Sequence, residues 1–128
     1  QVFEGYVCET LYEALVQGQS DLDRFWIAEA DGKMVGTIAI LARGEGVCQL
    51  RWLLVAPEYR GCGLGKKLFH EAMAYAESRQ FKRIFLETTR EQEKAIRLYQ
   101  EAGFEERKTY EITGWGKTLT GLTMEKVL

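Results

Sequence analysis

The sequence predicts an α/β fold of the mixed (α+β) kind, in which helices pack against a mixed sheet. Two observations lead to this prediction. Residues 24–55 have the pattern of three antiparallel strands joined by short glycine turns, at 31–32 and 44–46. From residue 47 onward, strands and helices alternate, and two further strands close the chain. An antiparallel run followed by alternating elements is typical of a mixed sheet with helices against it.

The first predicted element is a helix near the N-terminus. Apolar residues recur there at helical spacing, and Gly18 follows at a position suited to a C-cap. These apolar residues are Phe3, Val7, Leu11, Ala14 and Leu15. The polar segment 17–23 is expected to be a loop, and strands are expected over residues 24–30, 33–41 and 47–55.

The third of these strands leads into a glycine-rich loop. The apolar run 50–56, interrupted only by Arg51, is expected to be buried. Pro57 has no N–H to donate to a sheet, so the strand ends before it. The sequence Arg-Gly-Cys-Gly-Leu-Gly follows at 60–65, and the spacing of apolar residues then predicts a helix over 63–79.

This strand–loop–helix unit indicates an anion-binding site. Glycines let a backbone turn tightly and approach a ligand closely. The free N–H groups of a helix's first turn and the positive end of its dipole favour an anion. Arg60, Lys66 and Lys67 add cationic side chains. We therefore expect this loop to hold a phosphate or pyrophosphate group.

The rest of the chain continues the alternation. An apolar strand is predicted over 83–88, and Thr88 or Thr89 is expected to cap a helix that runs to about Ala102. Gly103 is suited to end this helix. The last predicted elements are a strand over 104–112, a loop over 113–117 and a strand over 119–128.

Length and composition describe one globular domain. The 128 residues fit a single core, and the hydrophobic fraction of 46% and charged fraction of 28% are ordinary. A net charge of -2 gives no reason to expect binding to nucleic acid or to a membrane. Three cysteines without metal-ligand spacing favour reduced thiols in a cytoplasmic protein and no metal site.

Two common phosphate-binding patterns do not fit the loop. A P-loop would require a glycine in place of Arg60 and a Ser or Thr in place of Lys67. The dinucleotide-binding pattern, started at Gly61, would place its third glycine at Lys66. The loop does match Arg-x-x-Gly-x-Gly directly after a strand that ends Val-x-Pro. At these residues the chain resembles the GNAT superfamily of acyl-CoA-dependent N-acyltransferases.

A second motif supports the resemblance. Residues 84–88, followed by Ala-x-x-Leu-Tyr-x-x-x-Gly-Phe at 95–104, are similar to the fifth strand and fourth helix of that family. The resemblance implies a twisted, mostly antiparallel sheet with a central parallel pair and helices packed on both faces. The first strand of the family has no counterpart among the elements predicted here.

The resemblance also implies acetyl-CoA as cosubstrate and no metal. In the family, loop amides hold the pyrophosphate of coenzyme A, and backbone groups at the end of the fourth strand hold its pantetheine arm. Gln92 stands where the family often has an asparagine near the cofactor. The implied cofactor-binding residues are Leu53, Leu54, Val55, Arg60, Gly61, Cys62, Gly63, Leu64, Gly65, Lys66 and Gln92.

Two residues are implied to be catalytic. Tyr99 matches the helix tyrosine whose hydroxyl protonates the leaving thiolate in many members, and a phenol with an unperturbed pKa of about 10 keeps its proton at neutral pH. Glu87 matches the strand-end glutamate that some members use as general base, a role that burial would favour. Two alternatives stay open for Glu87: it is a solvated carboxylate or pairs with Arg51 or Arg90. Water would then accept the proton.

The main functional prediction is transfer of an acetyl group from acetyl-CoA to a primary amine, on a small molecule or a protein, by direct attack in a ternary complex. Trp115, in the predicted loop between the last two strands, is the expected acceptor contact. The alternative is an acyl-CoA sensor with little turnover, attached to a transcriptional regulator. It arises because the segment from Trp115 resembles the acetyltransferase half of proteins that join a MarR-type DNA-binding domain to a GNAT domain.

For either function, residues 1–128 are expected to be a single acetyltransferase domain of a longer chain. Edge strands near the C-terminal end make a homodimer a reasonable expectation. Neither nucleic-acid binding by this domain itself nor membrane binding is expected.

Overall fold

The computed structural model describes the backbone of residues 6–10 and the whole of residues 21–128. Within those ranges the chain forms one seven-stranded sheet and two α-helices. The strands are β1 (Tyr6–Thr10), β2 (Arg24–Ala30), β3 (Lys33–Gly44), β4 (Val47–Val55), β5 (Arg83–Thr89), β6 (Glu105–Gly114) and β7 (Lys117–Val127). The helices are α1 (Leu64–Ser78) and α2 (Glu93–Glu101), and a short 3-10 turn, Pro57–Tyr59, follows β4.

The strand order across the sheet is β1-β2-β3-β4-β5-β7-β6. Only β4 and β5 pair in parallel, at the middle of the sheet, and every other neighbouring pair is antiparallel. The predicted mixed α/β class, with a mostly antiparallel sheet and a central parallel pair, is therefore confirmed.

The N-terminal segment contains a strand where the sequence predicted a helix. All five residues of β1 pair antiparallel with β2, so the helix predicted through Val7 is wrong at residues 6–10. The chain thus has a first strand that its sequence pattern did not reveal. Five residues are too few to separate helical from alternating spacing, and the pairing partner lies well along the chain. Residues 11–20 of the predicted helix and loop lie outside the described residues.

Two tight turns join β2, β3 and β4. Asp31 and Gly32 have φ angles of 53° and 73°, and Glu45 and Gly46 have φ angles of 54° and 79°. Two consecutive positive φ angles are the mark of the type I′ turns that fit the twist of a hairpin. Both predicted turns are confirmed, and β2 and β4 have the predicted bounds.

The start of α2 differs from the prediction. β5 extends to Thr89, so neither Thr88 nor Thr89 caps the helix, and the N-cap position is held by Gln92. The strand continues because all of its residues through Thr89 pair with β7. Gly103 follows the helix with a φ of 103°, which confirms its predicted role as the residue that ends α2.

The connection between the last two strands is also shorter than predicted. The expected loop over 113–117 is a two-residue turn, in which Trp115 and Gly116 have φ angles of 55° and 75°. Tryptophan is an unusual residue at positive φ, so its presence does not indicate a tight hairpin here.

The parallel pairing of β4 with β5 is short, and this opens the sheet. Only residues 47–49 pair with residues 83–85. Further along β4, its register with β3 shifts and Trp52 adopts a φ of 55°, which are features of a β-bulge. The hydroxyl of Thr37 on β3 donates a hydrogen bond of 2.7 Å to the carbonyl of Trp52 and so stabilises the bulge.

Because of this opening, the second half of β4 is not the buried strand that the sequence predicted. Leu54 is 62% exposed, and Leu53 and Val55 are partly buried. These apolar side chains line a cleft instead of lying in the core. An apolar run looks the same in both situations, so periodicity could not distinguish them.

The main core lies between the sheet and the two helices. Phe69 of α1 is 1% exposed, and its ring centroid lies 5.7 Å from that of Tyr99 and 6.1 Å from that of Phe104. Phe69 therefore joins α1 to α2 and to the segment that enters β6. The resemblance also implied helices on both faces of the sheet, and most of the segment in which an N-terminal helix was predicted lies outside the described residues.

Replacing Phe69 by alanine should lower the free energy of unfolding by roughly 3–5 kcal/mol, because the substitution removes buried ring contacts and leaves a cavity. Urea denaturation followed by circular dichroism measures the loss. Glu71→Ala, at an exposed position of the same helix, should stay within about 0.5 kcal/mol of the wild type. Equal losses at the two positions would show that Phe69 does not join the helices in one core.

Candidate active site

A cleft opens where β4 and β5 diverge. Its volume is about 430 Å³, and it extends from the second half of β4 to the end of β5 and to α2. The residues that line it are Gln49, Leu50, Arg51, Trp52, Leu53, Leu54, Leu86, Glu87, Thr88, Thr89, Gln92, Ala95 and Tyr99.

A second cleft, of about 580 Å³, lies between the end of β4, the glycine-rich loop and α2. The two clefts share Leu53, Leu54, Gln92 and Ala95, so they form one continuous groove, called here the β4–β5 groove. Most of the predicted cofactor-binding residues line its second part, namely Leu53, Leu54, Val55, Arg60, Gly61, Gly65, Lys66 and Gln92.

The other three predicted cofactor-binding residues lie beside the groove. The side chains of Cys62 and Leu64 are 6% and 0% exposed, and the Cys62 thiol donates a hydrogen bond of 2.7 Å to the Tyr59 carbonyl. Gly63 is the N-cap residue of α1. These residues therefore offer a ligand their backbone N–H groups, while the buried side chains fill the core.

Only two of the three loop glycines are required by the backbone. Gly61 and Gly63 have φ angles of 82° and 84°, a region that L-residues with a Cβ enter at a cost. Gly65 lies inside the first turn of α1, where a Cβ would stand 3.6 Å from Cγ2 of Val55, an ordinary van der Waals distance. The loop turn thus depends on Gly61 and Gly63.

The loop end of the groove favours an anion. No side chain caps α1, and its first turn contains no acidic residue. No side chain of this turn therefore competes with a bound anion for the first N–H groups or for the positive end of the helix dipole. Arg60, Lys66 and Lys67 are exposed around this turn. Nε of Arg60 also donates a hydrogen bond of 3.3 Å to the Val55 carbonyl, which ties the loop to the end of β4.

At the other end of the groove, Tyr99 packs in the core and also lines the first cleft. Its side chain is 5% exposed and its ring packs against Phe69 and Phe104, with centroids 5.7 and 5.9 Å away. Burial raises the pKa of Tyr99 to about 12. Among the described residues, none forms a hydrogen bond with its hydroxyl. Tyr99 is therefore a protonated phenol whose donor is available to a ligand.

Glu87 lines the same cleft as Tyr99 and is exposed, so burial does not favour a role as general base. The alternative ion pairs are not formed either. Arg90 makes a two-pronged ion pair with Glu106, at 2.9 and 3.2 Å, and the guanidinium of Arg51 lies 4.9 Å from the centre of the Trp52 ring. Glu87 instead accepts a hydrogen bond of 3.3 Å from the hydroxyl of Tyr110 on β6.

Sequence reasoning missed several residues in the groove and beside it. Arg51 and Trp52 line the first cleft, although the run that contains them was expected to be buried. Tyr110 was not singled out, because its contact with Glu87 depends on strand pairing. Gly121, a glycine inside an otherwise regular strand, was a signal that could have been used, since such a glycine often marks a close approach.

The described residues also bear on Trp115, on metal ligands and on membrane-spanning helices. Trp115 is fully exposed at the tip of the β6–β7 hairpin and lines neither cleft, so its contact with an acceptor stays a prediction. No cluster of metal-ligating side chains occurs in residues 21–128. In the described part of the chain, neither helix is long and apolar enough to cross a membrane.

Comparison with known proteins identifies the family. The model of the acetyltransferase (GNAT) family matches residues 3–104. This chain belongs to the GNAT acetyltransferase family. One relative of this GNAT chain is YjgM of Escherichia coli K12, an uncharacterized N-acetyltransferase that is 43% identical over 84 residues, which are 63% of this chain and 50% of the relative. The chain thus spans about half the length of that relative.

Solved structures agree with this assignment. The ribosomal-protein-alanine N-acetyltransferase of Brucella melitensis superposes with a TM-score of 0.74 at 27% identity, covering 84% of this chain and 70% of that chain. A Bacillus subtilis acetyltransferase in complex with CoA has a TM-score of 0.75 at 16% identity and covers 98% of this chain and 99% of that chain. The second likeness shows that the two proteins share a fold.

The loop glycines should differ in their effect on stability. Gly63→Ala places a Cβ at positive φ and should lower the free energy of unfolding by about 1–2 kcal/mol. Gly65→Ala adds a good helix former where space exists and should leave stability unchanged or raise it by up to about 1 kcal/mol. Urea denaturation of the two variants measures the difference. Equal destabilisation by both substitutions would contradict the backbone argument.

Proposed function

We propose that this GNAT chain transfers an acetyl group from acetyl-CoA to a primary amine by direct attack in a ternary complex. The observation that carries the proposal is the β4–β5 groove. One end offers free amides and cations, and the other offers a protonated phenol and a carboxylate. An elongated acyl donor with a pyrophosphate at one end and a thioester at the other suits this arrangement.

The loop end of the groove would hold the pyrophosphate of acetyl-CoA. The N–H groups of residues 61–66 and the side chains of Arg60 and Lys66 supply donors and positive charge there. CoA in the related Bacillus subtilis structure supports an acyl-CoA ligand for this fold.

The middle of the groove would hold the pantetheine arm. Because β5 pairs only with residues 47–49 of β4, the edge of β4 at Leu53, Leu54 and Val55 lacks a strand partner on that side within the described chain. Backbone groups without a partner need other hydrogen bonds when they leave water. The amides of a pantetheine arm provide such bonds, and Gln92 stands across the groove from this edge.

Proton movements at the far end would complete the transfer. The ammonium group of the acceptor must first lose a proton, to the carboxylate of Glu87 or to water, so that its nitrogen carries a lone pair. The nitrogen then forms a bond to the thioester carbonyl carbon, and the carbon–sulfur bond breaks. Tyr99 donates its phenolic proton to the departing sulfur. The acylated nitrogen loses its second proton, which restores the Tyr99 phenol directly or through water, and the first proton passes to solvent.

The acceptor class is a primary amine, on a small molecule or on a protein. The Brucella melitensis relative is named for an alanine of a ribosomal protein, which makes a free N-terminal alanine one reasonable probe. The idea of an acyl-CoA sensor joined to a regulator gains no support from the comparisons. Homodimer formation, a single domain over residues 1–128 and a cytoplasmic location are part of the same proposal.

Ligand binding can be tested by thermal unfolding with acetyl-CoA, coenzyme A and ATP. A ligand that binds only the folded state stabilises it by ~2.7 kcal/mol at a hundredfold excess over its dissociation constant. We expect both CoA ligands to raise the midpoint by several degrees and ATP, which lacks the pantetheine arm, to have a much smaller effect. No shift with either CoA ligand would contradict the cofactor assignment.

Replacing Tyr99 by phenylalanine should lower kcat roughly 100-fold, because general acid catalysis contributes on that scale, and should leave the thermal shift with acetyl-CoA unchanged. Release of free thiol with a polyamine, an α-amino acid and an alanyl peptide measures turnover. Since the pKa of Tyr99 is about 12, the wild-type kcat should not decline at moderately alkaline pH through loss of this proton.

Tyr75→Phe is the matched control for the Tyr99 variant. Tyr75 is also a buried helix tyrosine, but its hydroxyl donates a 2.6 Å hydrogen bond to the Leu22 carbonyl and it lines neither cleft. Loss of this hydrogen bond should lower the free energy of unfolding by about 1 kcal/mol and leave kcat unchanged. An unchanged kcat in Tyr99→Phe would remove this residue from the mechanism.

A further inference from the structure

Tyr110 of β6 reaches over the intervening strand to a residue of β5. In the sheet, Tyr110 lies opposite Gly121 of β7, and Gly121 lies opposite Thr89 of β5. The hydroxyl of Tyr110 nevertheless donates its hydrogen bond to Oε1 of Glu87, at 3.3 Å. The ring must therefore cross β7 to make this contact.

Gly121 makes this crossing possible. A Cβ built on Gly121 would lie 2.3 Å from Cε2 and 2.5 Å from Cζ of Tyr110, far inside van der Waals contact. Gly121 does not have a positive φ, so the backbone does not require glycine here. A glycine inside a strand weakens it, and an aromatic ring laid over the glycine from the neighbouring strand offsets this. The Tyr110 ring is thus the physical reason for glycine at 121.

Neither of the two arginines considered as ion-pair partners of Glu87 pairs with it. Arg90 is held by Glu106, and Arg51, which lines the same cleft, forms no ion pair with any described residue and stacks on Trp52. Tyr110 is therefore the hydrogen-bond partner that the described chain provides for Glu87. Partial burial raises the pKa of Tyr110, and the charge of Glu87 and the hydrogen bond to it raise that pKa further.

We propose that Tyr110 is a positioning residue, which lies across Gly121 and orients the carboxylate of Glu87 in the groove so that it accepts a proton from the acceptor ammonium group. This inference rests on the proposed acetyl transfer. The 3.3 Å contact is longer than a typical O–H···O hydrogen bond of about 2.7 Å, and such contacts often tighten when the substrate is bound. Tyr110 keeps its proton throughout and only donates a hydrogen bond.

The proton balance follows directly. The N–H bond of the ammonium group breaks, its proton goes to Glu87, and the nitrogen lone pair forms the new bond to the acyl carbon. Cleavage of the carbon–sulfur bond leaves the electron pair on sulfur, which Tyr99 protonates. The acylated nitrogen then loses its second proton, which restores the Tyr99 phenol directly or through water, and Glu87 releases the first proton to solvent.

The test compares Tyr110→Phe, Glu87→Gln and the double variant in thiol release, with whichever of the polyamine, the α-amino acid and the alanyl peptide reacts fastest. Tyr110→Phe retains the ring over Gly121 and removes only the hydroxyl. We expect kcat to fall about tenfold, on the scale of one hydrogen bond to a charged group, with KM for acetyl-CoA unchanged. In the Glu87→Gln background, the same substitution should have no further effect.

Two glycine variants separate positioning from general damage to the sheet. Gly121→Ala should displace the Tyr110 ring and lower kcat as Tyr110→Phe does. Gly114→Ala, in the same hairpin but with open space around its Cβ, should leave kcat unchanged. Two results would overturn the proposal: a kcat of Tyr110→Phe equal to that of the wild type, or a further fall in kcat when Tyr110→Phe is added to Glu87→Gln.

A spectroscopic titration tests the contact without turnover. Tyrosinate absorbance should show the Tyr110 phenol ionising at lower pH in Glu87→Gln than in the wild type, and this component should be missing in Tyr110→Phe. An unchanged titration in Glu87→Gln would overturn the contact itself. A wild type that shows the contact but releases no thiol with any amine would instead overturn the proposed acetyl transfer, and with it this role.

Discussion

The three-residue pairing of β4 with β5 is the constraint on which the rest of the structure depends. If these strands paired along their full length, the backbone of β4 would be satisfied by β5 and no groove would exist between them. The bulge at Trp52, which the hydroxyl of Thr37 stabilises, directs the second half of β4 away from β5. The binding groove therefore exists because the sheet is left incomplete at its centre.

Stability and the candidate chemistry use the same aromatic contacts. The rings of Phe69 and Phe104 that join the two helices are also the rings that surround Tyr99. Burial among them raises the pKa of its phenol to about 12, so the packing of the core sets the protonation state of the proposed acid. Substitutions in this cluster will change both properties together.

The features that could be predicted from the sequence are those with local causes. The turns at 31–32 and 45–46 follow from Gly32 and Gly46, which accept positive φ, and the glycine loop and the stripe of α1 follow from spacing alone. β1 was missed because its partner lies far along the chain. The contact between Tyr110 and Glu87 joins residues 23 positions apart through the registers of three strands, and no local pattern encodes such a register.

Gly121 has a consequence for how this sequence can diverge. A larger residue at 121 has room only if the aromatic ring at 110 is displaced or lost, and that ring has a hydrogen-bond partner only while residue 87 keeps an acceptor. The three positions lie on three adjacent strands and are far apart in the chain. Descendants of this protein are therefore expected to keep all three residues or to replace them together. A change at one position alone would remove a contact or a space that the other positions require.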